Sequence, residues 1–398
     1  MFLSKFWPNK PWLRILVMAL PIVIILTAIS TVVIYNSGEG DVPYTPAFVE
    51  HPPTEPDPPT ELPAFPPPPI IGPYQTLRWD FYYDEPIDTR PRSLLTGLPI
   101  EEEYLYRRPI AVVINNLRPA WPQSGIVSAD VIYEVLAEGE VTRLVGIFQS
   151  YIPEKIGPVR SARDSFVDFA YNHDAIFVHH GRSPDADIRL RNTGIANIDG
   201  MAWEGTVFWR HREYPEWHHH TGRRPLEHSS YTSWERLNTH INSRNIRSQI
   251  NDHPDNGFTF GTVPEDPNAG VANQIRVLFS PSYVRTFIFD PEYGVYLVEN
   301  RDGPLQDAET EEQVAVTNVL IQLTTKRVTG TLGQRTIGTV GSGDGFFITG
   351  GTYRPVRWAK DSHTSPMRWY FQDGTPIVLA PGPTWICVFQ STGTVVFE

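Results

Sequence analysis

The proline-rich stretch between residues 43 and 73 constrains the fold of this chain more than any other feature. It holds thirteen prolines, four of them consecutive at Pro66–Pro69, with acidic residues interspersed. Proline removes a backbone donor and fixes φ, so the stretch favours an extended polyproline II chain over a helix or a sheet strand. We therefore predict a semi-rigid linker over residues 36–73, followed by a globular part that begins near residue 74.

An apolar segment precedes the linker. From Trp12 to Tyr35 the chain carries one charged residue, Arg14, near the start. At about 1.5 Å per residue, a helix of this length crosses a bilayer. Basic residues precede the segment and acidic residues follow it, so the positive-inside rule places residues 1–11 in the cytoplasm and the globular part outside. We predict a transmembrane signal-anchor helix over residues 12–35 of a single-pass cell-membrane protein. A cleaved signal peptide is the alternative, because Ala28–Ser30 offers small residues of the right kind.

Charge and cysteine content exclude several classes of function. The formal net charge of −12 argues against a nucleic-acid partner. The single cysteine, Cys387, lies in an apolar run. One thiol forms no intramolecular disulfide and no cysteine metal cluster. We expect a buried, inert thiol.

The globular part divides into two halves with different patterns. Residues 74–253 mix short β-branched apolar runs with helical periodicity, whereas residues 254–398 repeat strand-length runs punctuated by turn residues. In the first half we predict strands at 109–114, 131–137, 143–149 and 175–180, and helices at 161–172, 184–192 and 231–246. The expected fold class is α+β, with a mixed α/β N-terminal domain followed by a predominantly β C-terminal domain.

Two arginines stand out in the run from Ile156 to Asp164. Ser161 can serve as an N-cap with Asp164 three residues later, so the pattern predicts a helix that begins beside Arg160 and Arg163. Outward-pointing N–H groups and guanidinium groups suit a carboxylate, a phosphate or an acidic sugar polymer. The alternative is that both arginines pair with acids of neighbouring elements.

A predicted hairpin supplies further charged residues. If Gly139–Glu140 is a two-residue loop, Arg143 faces Leu136, and Glu134, Glu138 and Arg143 share one face of the sheet. The glutamates are candidate catalytic groups and Arg143 is a candidate ligand-binding residue. Four residues along a strand span about 13 Å, however, which is too far for a glycosidase pair. A solvated face with a weak salt bridge is the alternative.

Nine of the twelve histidines fall within residues 173–240. His179 and His180 end a predicted strand and point to opposite faces, so at most one of them joins a given site. His180 is a candidate catalytic residue, whereas His179 and His228 are candidate ligand-binding residues. No H-E-x-x-H or comparable spacing occurs, so we predict no metal site and interpret His218–His220 as part of a loop. No cofactor is indicated.

Several phrases resemble the YerB-like family of bacterial envelope proteins, which are mostly lipoproteins with N- and C-terminal conserved domains of unassigned function. The matching phrases are Arg108–Asn116, Ala129–Glu134, Glu138–Gly139 with Thr142–Arg143, Ile156–Arg163, Trp358–Lys360 and Gly374–Trp385. The run from His228 to Ser233 is a looser match, with Ser229 where the family has asparagine. This chain lacks the lipidated cysteine, so the predicted helix would replace the lipid. The resemblance implies an envelope location and a two-domain plan.

Three functions fit these residues. The favoured one is recognition of an anionic or glycan cell-wall component in a cleft lined by Glu134, Glu138, Arg143, Arg160 and Arg163, with the named histidines nearby. The second is an envelope hydrolase that depends on a metal or a glutamate. The third is a non-catalytic scaffold for other envelope proteins. The residues leave open whether the chain is an enzyme.

Overall fold

The computed structural model describes residues 88–250, 255–328 and 335–398, together with the backbone of Thr31–Ile34. Those four residues form strand β1, which pairs antiparallel with Thr394–Phe397. The rest of the predicted membrane segment 12–35, residues 1–11 and the predicted linker 36–73 lie outside the described residues. Within the described chain, none of the helices combines the length and apolar character needed to cross a bilayer. The single-pass topology stays a prediction.

Residues 88–250 mix helices with strands. The helices are α1 (Glu102–Leu105), α2 (Asp164–Asn172), α3 (Pro184–Thr193), α4 (Gly200–Trp203) and α5 (Trp234–Ser243). The strands are β2 (Ile110–Asn115), β3 (Val131–Leu136), β4 (Thr142–Phe148), β5 (Ile176–His179), β6 (Asn197–Asp199), β7 (Trp209–Arg210) and β8 (Ser230–Tyr231). The predicted helices and strands of this half are therefore confirmed, with ends that shift by no more than a few residues.

Strands make up the regular structure described after residue 254. They are β9 (Gly270–Val271), β10 (Gln274–Ser280), β11 (Tyr283–Asp290), β12 (Val295–Asn300), β13 (Gly303–Pro304), β14 (Ala315–Val316), β15 (Asn318–Thr324), β16 (Lys326–Val328), β17 (Arg335–Ile337), β18 (Gly341–Thr349), β19 (Thr352–Lys360), β20 (Arg368–Phe371), β21 (Thr384–Gln390) and β22 (Thr394–Phe397). Together with the first half, this composition confirms the α+β class.

The largest sheet of the described chain joins the two halves. It has 11 strands in the order β20-β19-β18-β15-β21-β3-β4-β2-β5-β6, with β9 paired to β19. Strand β21 lies between β15 and β3 and runs parallel to both. The boundary predicted at 253/254 thus falls between segments that share one sheet, and the division into two domains stays a prediction.

A second sheet packs on the first. It has seven strands in the described chain, with the path β1-β22-β10-β11-β12-β13 and β14 paired to β12. Its buried residues, including Ile275, Phe287 and Val298, join one core cluster with Ile132 and Leu144 of the large sheet.

The large sheet is buried on both faces, which positions the residues discussed below. One face meets α2 and α3, where Phe166, Phe169 and Ala170 are fully buried at helical spacing. The other face meets the second sheet and α5. Burial on both faces explains why β2 is a continuous apolar run rather than an alternating one.

Candidate functional site

Several of the predicted site residues lie at one edge of the large sheet. Strands β2, β5 and β6 run parallel, so their carboxyl ends meet at the same edge. Asn115, His180 and Asp199 lie at or directly after those ends. In open sheets with parallel strands, such an edge is the usual place for ligands.

The run from Ile156 to Arg163 crosses this edge as extended chain. The Arg160 N–H donates to the carbonyl of Val113 at 2.8 Å, and the His180 N–H donates to the carbonyl of Arg160 at 3.0 Å. The run therefore lies between the end of β2 and the chain that follows β5. This placement brings Arg160 to the centre of the edge.

The predicted capping box at Ser161 is wrong. Helix α2 begins at Asp164 with Arg163 as its N-cap residue, and no side chain caps it. The Ser161 hydroxyl instead donates to the His180 carbonyl at 3.0 Å. The run continues as extended chain through Ala162, whose N–H donates to the carbonyl of Gly181. Arg160 thus extends from strand-like backbone rather than from a helix N-terminus.

The predicted register of the β3–β4 hairpin is also wrong. Arg143 faces Val135 rather than Leu136, because Ala137 pairs with Val141 across a three-residue loop. A shift of one residue reverses the face to which a side chain points. Glu134 and Arg143 consequently lie on opposite faces of the sheet, and they do not share a site.

Glu134 belongs to the core between the two sheets. It is 1% exposed, and its carboxylate accepts from the Arg285 guanidinium at 2.7 and 3.2 Å. The Thr142 hydroxyl also donates to it at 2.8 Å. This candidate catalytic residue is therefore fully engaged in a buried ion pair.

Glu138 joins two of the predicted arginines. One carboxylate oxygen accepts from the Arg143 guanidinium, and the other accepts from Arg163 Nε at 3.0 Å and Nη2 at 2.6 Å. Arg143 is 2% exposed, and burial lowers its pKa to about 9, with the Arg163 charge acting in the same direction. Two guanidinium groups therefore share one carboxylate, which balances half of their charge.

Arg160 lies beside this triad and has no direct ion pair within the described residues. Its Nη1 donates to the carbonyl of Glu227 at 2.6 Å. Within the described chain it forms no ion pair, and its buried Nε has no hydrogen-bond partner. Burial lowers the pKa of Arg160; the carboxylates of Glu138 and Glu227 oppose this shift, and the charges of Arg163 and Arg210 add to it.

His228 presents a donor next to Arg160. The side-chain oxygen of Asn115 accepts from the Leu117 N–H at 3.1 Å, which turns the side-chain nitrogen of Asn115 toward His228 Nδ1 at 2.6 Å. Nδ1 therefore accepts, and the proton of the neutral ring is on Nε2. Burial lowers the pKa of His228, and the Arg160 charge lowers it further.

His180 is also held as a neutral ring. Arg210 Nη2 lies 3.2 Å from its Nε2, and a guanidinium can only donate. The proton is therefore on Nδ1, which donates to the Ser230 hydroxyl at 2.7 Å. Burial lowers the pKa of His180, and Arg210 adds to the effect. Arg210 itself pairs with Glu204 through contacts of 2.6 and 3.0 Å.

His179 points away from these groups. It is fully buried, with Nδ1 2.9 Å from the Gly181 carbonyl oxygen and Nε2 3.3 Å from the Asn197 side-chain oxygen. Of the two adjacent histidines, His180 is the one that joins the site.

We call the assembled residues the Arg160 cluster. Its members are Glu138, Arg143, Arg160, Arg163, His180, Glu204, Arg210, Glu227 and His228. Four guanidinium groups meet three carboxylates and two neutral imidazoles, so the cluster carries excess positive charge on a chain whose net charge is −12. Chemically, it offers donors to an anion.

Two cavities lie elsewhere in the described chain. The larger, of about 1200 Å³, is lined by Phe258, Phe260 and Phe347 with Arg354, which pairs with Asp266 at 2.8 Å. The smaller, of about 290 Å³, lies beside His173. Neither contains a member of the Arg160 cluster, which is a surface site. We place the candidate site at the cluster because its charge is not balanced internally.

Comparison with known proteins places the chain in a family. The N-terminal domain of a protein family of unknown function, DUF3048, matches residues 95–247, and the C-terminal domain of the same family matches residues 275–386. The chain belongs to the DUF3048 family. The predicted resemblance to YerB-like proteins is confirmed by a relative and by a solved structure.

A DUF3048 relative from Bacillus subtilis (strain 168) bears the name "Putative lipoprotein YerB". It is 33% identical over 300 residues, which cover 74% of this chain and 85% of the relative. The crystal structure of the YerB protein from Bacillus subtilis matches with a TM-score of 0.66 and 30% sequence identity, and the match covers 77% of this chain and 99% of that one.

Several residues in or next to the Arg160 cluster of this DUF3048 chain were not predicted from the sequence. Arg210, Glu204 and the neighbouring Ser230 lie in loops and very short strands, where no periodic pattern singles them out. Asn115 gave a usable signal, because a polar residue that directly follows a buried strand lies at the sheet edge where ligands bind. Glu227 directly precedes His228 in the sequence, and this adjacency to a predicted ligand-binding residue was the remaining signal for Glu227.

Proposed function

We propose that this chain is an extracytoplasmic binding protein of the bacterial cell envelope that takes an anionic group of a cell-wall glycan at the Arg160 cluster. The observation that carries the proposal is the Arg160 guanidinium, which is partly buried and forms no ion pair within the described chain. The charge of Arg160 acts on the neutral ring of His228, whose proton is on Nε2. A carboxylate or phosphate at this position would supply the negative charge that the cluster lacks.

The name of one relative and a prediction from the sequence support the location. A relative that is 33% identical bears the name "Putative lipoprotein YerB". The apolar segment at residues 12–35, predicted from the sequence to be a membrane anchor, would supply an equivalent attachment.

The form of the site supports a polymer ligand. The Arg160 cluster lies at the surface, whereas the large cavities are elsewhere. A shallow site of fixed donors suits one charged substituent of an extended glycan better than it suits a small molecule that must be enclosed. Arginine forks match the planar geometry of carboxylate and phosphate groups.

The states of the acids and bases favour binding over hydrolysis at these residues. Glu134 forms a buried ion pair with Arg285, and both carboxylate oxygens of Glu138 accept hydrogen bonds from arginines. His180 donates its Nδ1 proton to Ser230, so it does not activate that hydroxyl as a nucleophile.

The test is calorimetric titration of the purified full-length protein with soluble peptidoglycan fragments, with poly(glycerol phosphate) and with uncharged chitooligosaccharides. We expect one of the two anionic ligands to bind, and we expect added salt to weaken that binding. Arg160→Ala should weaken it at least tenfold, while Arg160→Lys should retain part of the affinity. The matched control is Arg276→Ala, an exposed arginine on β10.

Equal binding by wild type and Arg160→Ala would contradict the proposal, as would equal affinity for the uncharged oligosaccharide. Mass spectrometry of the recovered ligand covers the alternative reaction. A cleaved product that disappears in Glu138→Gln or His180→Ala would identify a hydrolase instead.

A further inference from the structure

Three consecutive histidines converge at the surface of the loop that joins β7 to β8. The ring centroids of His218, His219 and His220 lie 4.3 to 4.7 Å apart. One nitrogen from each ring lies within 4.8 Å of the other two. The sequence predicted a loop here and no metal site; the structure has the loop, and it brings three imidazoles together.

Neighbouring aromatic residues hold this part of the loop in place. Tyr214 packs its ring on those of His218 and His220 at centroid distances of 6.1 and 4.9 Å. Its hydroxyl donates to the carbonyl of Pro119 at 3.0 Å, which ties the loop to the N-terminal half. Trp217 contacts His218 edge-on at 5.5 Å and donates to the carbonyl of Ala308 at 3.4 Å. The loop that carries the histidines is thus held by hydrogen bonds from Tyr214 to Pro119 and from Trp217 to Ala308.

Imidazole nitrogens are suitable ligands for zinc, copper and nickel ions, and three of them leave a fourth tetrahedral position for water. Tetrahedral Zn–N bonds of about 2.0 to 2.1 Å place ligand nitrogens about 3.4 Å apart. Nitrogens that lie within 4.8 Å of one another are close enough for side-chain rotations to bring them toward this spacing. We propose that His218, His219 and His220 form a binding site for one divalent transition-metal ion of the zinc type.

The surrounding charges set the expected strength of the site. Arg118 and Arg224 lie near the histidines and repel a cation. Arg118 is partly offset by Asp302, which lies 2.7 Å away. Arg224 is directed to backbone carbonyls and stacks on Tyr214 at 4.4 Å. We therefore expect one ion to bind more weakly than at a structural zinc site, and we expect Arg118→Gln to strengthen its binding.

This site is independent of the Arg160 cluster. None of its three histidines belongs to the cluster, and metal binding is measured without any glycan. Failure of one proposal therefore leaves the other standing.

The experiment uses full-length protein purified without a polyhistidine tag, titrated calorimetrically with ZnCl2 and, in parallel, with MgCl2. CoCl2 provides a spectroscopic readout, because the visible absorption of cobalt reports its coordination. We expect one zinc ion per chain and no magnesium binding. His219→Ala should weaken zinc binding at least tenfold, and this exposed residue can be changed with little effect on folding.

The matched control is His211→Ala, which removes a histidine at the start of the same loop and outside the trio. Its zinc affinity should equal that of the wild type, whereas a variant with alanine at all three positions should lose the site. Zinc binding that persists in the triple variant, or an unchanged cobalt spectrum in His219→Ala, would overturn the proposal.

Discussion

At the residue scale, the ion pair of Glu134 and Arg285 has the clearest energetic role. It joins β3 of the large sheet to β11 of the second sheet, across 151 positions of sequence. Both residues are 1% exposed. Burying two charges costs several kcal/mol, and their contacts with Thr142 and Asn300 help to offset that cost. The pair therefore fixes how the two sheets pack.

We expect Glu134→Ala to lower the free energy of unfolding by about 3 to 5 kcal/mol, because it leaves the Arg285 charge buried without its partner. The double variant Glu134→Leu with Arg285→Met should recover most of the loss. Urea denaturation measures both. The control Glu292→Ala, at an exposed turn, should stay within about 0.5 kcal/mol of the wild type. A Glu134→Ala cost as small as that of the control would refute this role.

A second residue-scale prediction concerns His173. Its Nε2 lies 2.8 Å from the Tyr133 hydroxyl, and burial lowers the pKa of His173 to about 3, with the Lys360 charge acting in the same direction. In the unfolded chain the His173 ring is therefore protonated below about pH 6.5, whereas in the folded chain it stays neutral until the pH approaches 3. The contribution of His173 to stability is therefore fully present above about pH 6.5 and falls toward pH 3 by about 1.4 kcal/mol per pH unit.

Chemical denaturation at a series of pH values checks this slope. His173→Gln should reduce the slope by about 1.4 kcal/mol per pH unit across that window, while the exposed His219→Gln should retain the wild-type dependence. Identical pH profiles for wild type and His173→Gln would rule out His173 as the source.

At the scale of elements, the start of helix α4 determines where His180 lies. A Cβ atom added at Gly200 would approach His180 Nδ1 to 2.3 Å, far inside van der Waals contact. The absence of a side chain at this position allows the helix to pack on the ring while the ring bonds to Ser230. The position of His180 in the Arg160 cluster therefore depends on Gly200, which has no side chain to contact a ligand.

We expect Gly200→Ala to displace His180 and to lower the free energy of unfolding by about 1 to 3 kcal/mol, because overpacking forces the ring out of place. Thermal and urea denaturation measure the loss. Met201→Ala, at an exposed position of the same helix, is the matched control and should change stability little. If the two variants were equally stable, the steric argument would be wrong.

At the scale of the whole molecule, the two halves share one sheet. Residues Thr384 to Val388 of β21 pair with Val131 to Val135 of β3, in parallel and without a break. Without β21, the fully buried strand β3 would become an exposed apolar edge, which favours aggregation. The halves are therefore expected to fold together.

We predict that a chain that ends at residue 253 does not form a soluble, cooperatively folded monomer. Size-exclusion chromatography and circular dichroism of residues 74–253 would test this, and co-expression of residues 254–398 should restore a soluble complex. The full-length protein should unfold in a single transition. A monomeric fragment 74–253 with its own sharp unfolding transition would contradict the prediction.

The sequence predicted the local elements well because each depends on neighbouring residues. The run 109–114 predicted β2, and helical spacing predicted α3 and α2, the latter with a start three residues too early. The start of α2 and the register of the β3–β4 hairpin were wrong for a shared reason. Hydrogen bonds from distant segments hold Ala162 extended, and a third loop residue moved Arg143 to the other face.

By itself, the sequence determined the α+β class, the family and the residue types available for binding an anion, because periodicity and matched phrases are properties of the chain alone. The tertiary structure decided which charges meet. It placed Glu134 and Glu138 in different environments, so that Glu134 pairs with Arg285 and Glu138 pairs with Arg163. It also brought Arg210 and His228 to Arg160. The physical reason is that pairing across a sheet and between sheets depends on register and packing over long sequence separations, which local patterns do not encode.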